Sequence, residues 1–129
     1  MDKFYKRTLF LLIWTISVFV AKAQTLEDVV NNIRSNNVAG VIKCFDNFVT
    51  ITLNNNQSVY SKTQAEQVVK DFFAKNPVKD FTVAQSGTSS ATSKFAIGTL
   101  STANGPFRLY VLMKQKDDGY ILQEIRFEK

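Results

Sequence analysis

The chain has 129 residues, with 16 basic and 11 acidic side chains for a net charge of +5, one cysteine and no histidine. The lack of histidine removes the commonest general base and zinc ligand, and with them every Ser-His or Cys-His nucleophile pair. The charge excess is no sign of nucleic acid. Asp2, Lys3, Lys6, Arg7 and Lys22 precede Gln24, leaving 12 basic and 10 acidic residues scattered without the basic stripe that a phosphate backbone requires.

The opening segment joins the basic Lys3, Lys6 and Arg7 to an apolar run from Leu9 to Val20, then to Ala21-Lys22-Ala23. These are the three parts of a cleavable secretory signal. The run is shorter than the roughly 20 apolar residues of a membrane span. Residues 1–23 therefore read as a signal peptide cut between Ala23 and Gln24, with no stable span after cleavage and a periplasmic or secreted destination. Residues 24–129 form one domain, of a size that supports a single core.

In that domain, Thr25 caps a helix carrying Leu26, Val29, Val30 and Ile33 at helical spacing, with Asp28 suited to the first-turn amides. Asn36-Asn37 separates it from a second short helix with Val38, Val41, Ile42 and Phe45 as its apolar set. Cys44 has no internal disulfide partner and reads as a small buried hydrophobe; the alternative is a thiol activated by Lys43.

Val49, Ile51 and Leu53 alternate with Thr50 and Thr52, which is strand periodicity. Asn54-Asn55-Asn56 turns the chain into a partner strand through Val59 and Tyr60. A helix over 62–76 follows, opened by Ser61 or Thr63, with Ala65, Val68, Val69, Phe72 and Phe73 on one stripe and Pro77 as its stop. Beyond Asp80 the pattern predicts four strands at 81–85, 94–100, 107–114 and 120–127, with residues 87–90 as a loop between the first two.

For the last hairpin the alternation predicts a turn at Asp117-Asp118-Gly119 ending in a glycine bulge, which sets Tyr110 opposite Arg126 and Arg108 opposite Glu128. Phe107, Leu109, Val111, Met113, Ile121, Ile125 and Phe127 then share the buried face, with Gln123 as its one polar member. Arg108, Tyr110, Lys114, Glu124, Arg126 and Glu128 share the other, and Leu112, Tyr120 and Leu122 join Tyr110 there as an outer patch suited to a dimer. A bulged turn at Ala103-Asn104-Gly105 adds Phe95 and Ile97 to the buried face; a tight turn does not.

The stretch Val38-Ala39-Gly40-Val41 through Phe45-Asp46-Asn47-Phe48-Val49, then Ser61-Lys62-Thr63-Gln64-Ala65 to Phe72-Phe73, resembles the nuclear transport factor 2-like, or cystatin-like, superfamily. More narrowly it resembles a family of small exported bacterial domains of unknown function. The resemblance implies an α+β fold in which N-terminal helices pack on a strongly curved antiparallel sheet, in the order helix, helix, hairpin, helix and four strands, around a conical cavity. Enzymes of that superfamily resemble ketosteroid isomerase and use an aspartate or histidine base with tyrosine or acid donors; other members bind ligands or dimerise through the outer sheet face.

Two functions follow as expectations. The first is a non-catalytic binding or interaction module that takes a small apolar ligand or a protein partner, including a second copy, with Tyr60, Gln85 and Gln123 as the polar groups aimed into a pocket. The second is a carboxylate-based isomerase, cyclase or lyase, with Asp46 or Glu124 as base and Tyr60 or Tyr110 as donor. Neither calls for a metal or a cofactor.

Overall fold

The computed structural model describes residues 24–129, so the signal peptide and its cleavage point lie outside the described residues. In chain order the elements are α1 (Leu26–Arg34), α2 (Val38–Ile42), β1 (Phe45–Leu53), β2 (Asn56–Ser61), α3 (Lys62–Lys75), β3 (Val78–Ser90), β4 (Ser93–Thr102), β5 (Gly105–Lys116) and β6 (Gly119–Glu128).

The helix boundaries follow from side chains that compete for terminal amides. Thr25 and Asp28 make a reciprocal capping box at α1, and Ser61 and Gln64 make another at α3. Asn36 takes a left-handed φ of 57° and Asn37 caps α2 onto the Gly40 amide, which is the break expected at this pair. Helix α3 ends at Lys75, before Pro77. Arg34 ties α1 to the sheet by donating Nε to the Phe81 carbonyl at 3.1 Å.

The six strands form one sheet in the order β2-β1-β6-β5-β4-β3. All neighbours are antiparallel except β1 and β6, which run parallel. The sheet is therefore mixed where the pattern predicted it antiparallel throughout. The chain crosses along α3 to the far edge, and the meander β3 to β6 then returns beside β1 in the same direction.

Curvature comes from extra residues inserted in the ladders. Strand β3 shifts register against β4 at three places and continues to Ser90, so residues 87–90 are strand and not the expected loop. Beside the second shift, a Cβ on Gly98 would run into the Thr82 carbonyl and stand 2.8 Å from Val83 Cα. Gly98 lets β3 close onto β4 there.

The pairs Tyr110 with Arg126 and Arg108 with Glu128 form as expected, but the extra residue is not at the turn. Asp117 takes a φ of 52° and a two-residue turn joins Lys116 to Gly119, while the register shifts at Gln123, between the pairs Met113–Leu122 and Leu112–Glu124. Leu122 is thereby fully buried in place of the half-buried Ile121, and Tyr120 packs against the core; both leave the predicted outer patch. The β4–β5 turn is also tight, pairing Thr102 with Gly105, so Ala96 and Leu100 take the buried positions and Phe95 and Ile97 face outward.

The inner face of the sheet packs on the helices. Phe72 stacks on Phe127 with ring centroids 3.9 Å apart and meets Phe73 and Phe107 edge-on at 5.5 and 5.2 Å. Val69, Ala65, Leu109, Val111 and Ile125 belong to the same buried core, and an open cleft of about 340 Å³ remains on the helix side between α1 and β3, with Leu26, Val30, Arg34 and Val83 in its lining. Cys44 belongs to the core at 1% exposure. Burial, with a smaller contribution from Asp28, pushes its thiol up to about 11, which removes the activated-thiol reading.

Candidate functional site on the outer sheet face

Paired residues on neighbouring strands share a face, so the register maps the outer surface. One row crosses Phe95, Leu112, Glu124, Thr50 and Val59; the next crosses Gln85, Ile97, Tyr110, Arg126, Thr52 and Gln57. The Arg126 side chain reaches from the second row to the first, donating Nε to Glu124 Oε2 at 3.0 Å while its guanidinium covers the Tyr110 ring at 5.0 Å. The hydrogen bond to Glu124 holds the guanidinium above its usual pKa. Burial and the Glu124 charge raise the Tyr110 phenol, against a lowering by Arg126.

Between β1 and β6 the sheet is irregular on both strands. From the pair Phe45–Leu122 to the pair Thr50–Glu124, β1 carries four residues and β6 only Gln123. The mismatch opens a cleft of about 390 Å³. Its walls are the apolar Phe48, Val59 and Leu112; its polar members are Asp46, Thr50, Gln57, Gln123 and Glu124. Phe48 and Val59 are each 65% exposed, the large apolar side chains most open to solvent among the described residues.

The three pocket residues expected from sequence fall in different places. Tyr60 is half-buried on the inner side, opposite Val49 and against the core. Gln85 is exposed, in a second outer cleft of about 470 Å³ with Ile97, Thr99, Arg108 and Lys129. Gln123 was expected on the buried face, but the bulge turns it into the outer cleft beside Glu124. No lining residue is common to the two clefts.

Of the acid–base candidates, Asp46 and Glu124 share the Gln123 cleft, Tyr110 reaches Glu124 through Arg126, and Tyr60 is on the opposite side. Both carboxylates are engaged, Glu124 by Arg126 and Asp46 by the Asn47 amide at 2.7 Å and by Lys116 Nζ at 3.7 Å. Among the described residues no group of three or more potential ligand side chains is placed to hold a metal, and no helix is long and apolar enough to cross a membrane.

Phe48 and Val59 had a readable signal. Each is apolar in the phase opposite to an inward-facing neighbour, the buried Val49 and the half-buried Tyr60, so one of each adjacent pair must face outward. The cleft itself depends on β1 meeting β6, a pairing that no local pattern announces.

A model of the family described as "Domain of unknown function (DUF4783)" matches residues 26–128. The chain belongs to the DUF4783 family. A structure of a DUF4783 protein from Bacteroides uniformis is 28% identical, with a TM-score of 0.77 over 82% of this chain and 97% of that one. A second, from Bacteroides ovatus, is 28% identical with a TM-score of 0.75 over 79% and 92%. An NTF2-like protein of unknown function from Shewanella oneidensis, at 10% identity and a TM-score of 0.57 over 81% and 93%, shares the fold alone. No curated protein matched. This DUF4783 chain is thus a domain of unknown function with the nuclear transport factor 2-like fold, as its element order had suggested.

Proposed function

We propose that the protein is an exported, non-catalytic interaction module whose outer sheet face docks a protein, either another chain or a second copy. The observation that carries this reading is the pair Phe48 and Val59, each 65% exposed on the wall of a cleft, while the large apolar side chains of the opposite face pack against the helices. Exposed apolar side chains ringed by polar groups are the usual composition of a docking patch. Leu112, half-buried, and Phe95 and Tyr110, stacked with centroids 6.4 Å apart, extend the apolar band across β4 and β5.

Export rests on the basic start, the apolar run and Ala21-Lys22-Ala23. Mass spectrometry of protein from producing cells should find Gln24 as the first residue; intact Met1 as the main form would remove this part of the reading.

The docking reading is tested by gel filtration of extracts from producing cells. The wild-type chain should elute in an assembly larger than the monomer, and Phe48→Glu with Val59→Glu should return it to monomer with its melting temperature unchanged. An assembly that survives both substitutions would place the interface elsewhere.

A further inference from the structure

The cleft between β1, β2 and β6 has a chemistry narrower than that of a general apolar patch. Two carboxylates, Asp46 and Glu124, line it, and among the described residues no basic side chain does. Gln57 and Gln123 add carboxamide oxygens, which accept hydrogen bonds from cations. Phe48 presents an exposed ring, a favourable face for an ammonium or guanidinium.

The cations nearest the cleft approach its acids from outside the lining. Arg126 uses Glu124 Oε2, and among the described residues Oε1 accepts no hydrogen bond. Lys116 Nζ stands 3.7 Å from Asp46, and its side chain is 51% exposed, a loose pair that an incoming cation can displace at small cost. At about 390 Å³ the cleft is at the small end of ligand sites, a volume for a side chain or two and not for a large cofactor.

Resting on the docking reading above, we propose that this cleft receives a lysine or arginine side chain, borne beside an apolar residue on an exposed segment of a protein partner. The apolar walls Phe48, Val59 and Leu112 take the aliphatic stem and the neighbouring apolar residue, and the two carboxylates take the charged head. A desolvated pocket that accepts one long basic side chain is a common way for an interface to concentrate its affinity.

Three capped tripeptides, leucine–arginine–leucine, leucine–glutamine–leucine and leucine–glutamate–leucine, titrated into the 15N-labelled full chain, test the proposal. The arginine peptide should shift the amides of Phe48, Thr50, Val59 and Glu124, bind at least about tenfold more tightly than the glutamine peptide, and lose that advantage in Asp46→Asn with Glu124→Gln. The glutamate peptide should leave the cleft unshifted. Equal binding by the glutamine peptide would overturn the cation reading while leaving outer-face docking in place. Absence of shifts with every peptide would overturn the inference too, and the gel-filtration result would then decide the docking reading by itself. Cleft amides that shift with protein concentration alone would assign the cleft to a second copy and overturn the separate partner.

Discussion

Along β5, Phe107, Leu109, Val111 and Met113 are buried against the helices, while their neighbours Arg108, Tyr110 and Leu112 lie on the outer face, half or fully exposed. One strand thus serves two surfaces of opposite character. The inner one is closed by α3, with Phe72 and Phe73 set into Phe107 and Phe127. The outer one keeps Phe48, Val59, Phe95 and Ile97 without a covering element among the described residues. The difference is what motivates the docking proposal, since apolar surface that folding has not buried is the kind that a partner can cover.

Substitutions on the two faces should separate stability from association. The largest loss is expected from Phe127→Ala, which empties the centre of the aromatic wall and should cost about 3–5 kcal/mol in urea unfolding. Gly98→Ala comes next, at about 1–3 kcal/mol or more, because its methyl group meets the β3 backbone and not a movable side chain. Thr25→Ala removes the α1 cap and should cost about 1 kcal/mol. Phe48→Ala should change stability by no more than about 0.5 kcal/mol. If Phe48→Ala destabilised as much as Phe127→Ala, the contrast between the faces would be lost.

The elements were legible wherever the signal was local. Ser61, Gln64 and the stripe from Ala65 to Phe73 specify α3 almost to the residue, and Asn36 and Asn54 adopt the left-handed φ that their side chains tolerate. The net register of the last hairpin was also legible, because the apolar faces of β5 and β6 have to coincide. The position of its extra residue was not. A bulge at the turn and a bulge at Gln123 give the same pairing of Tyr110 with Arg126, and differ only in which way residues 120–123 face. The mark of the second is the three-residue step from Leu122 to Ile125, both fully buried, where regular alternation demands two. Regular alternation through Ile121 and Ile125 places Gln123 on the inner face and gives no sign of the outer cleft. Its opposite wall, Asp46 and Phe48, lies in the stretch of four β1 residues that faces one residue of β6, and arises from a parallel pairing between segments far apart in the chain.

The central claim is that the outer face, not the helical side, meets the partner. Site-specific photo-crosslinking in producing cells tests it most directly, with the reactive residue placed in turn at Phe48 and at Lys70, which is exposed on α3. The account predicts a discrete adduct from position 48 that disappears with Val59→Glu, and none from position 70. A discrete adduct from position 70 with none from position 48 would contradict it.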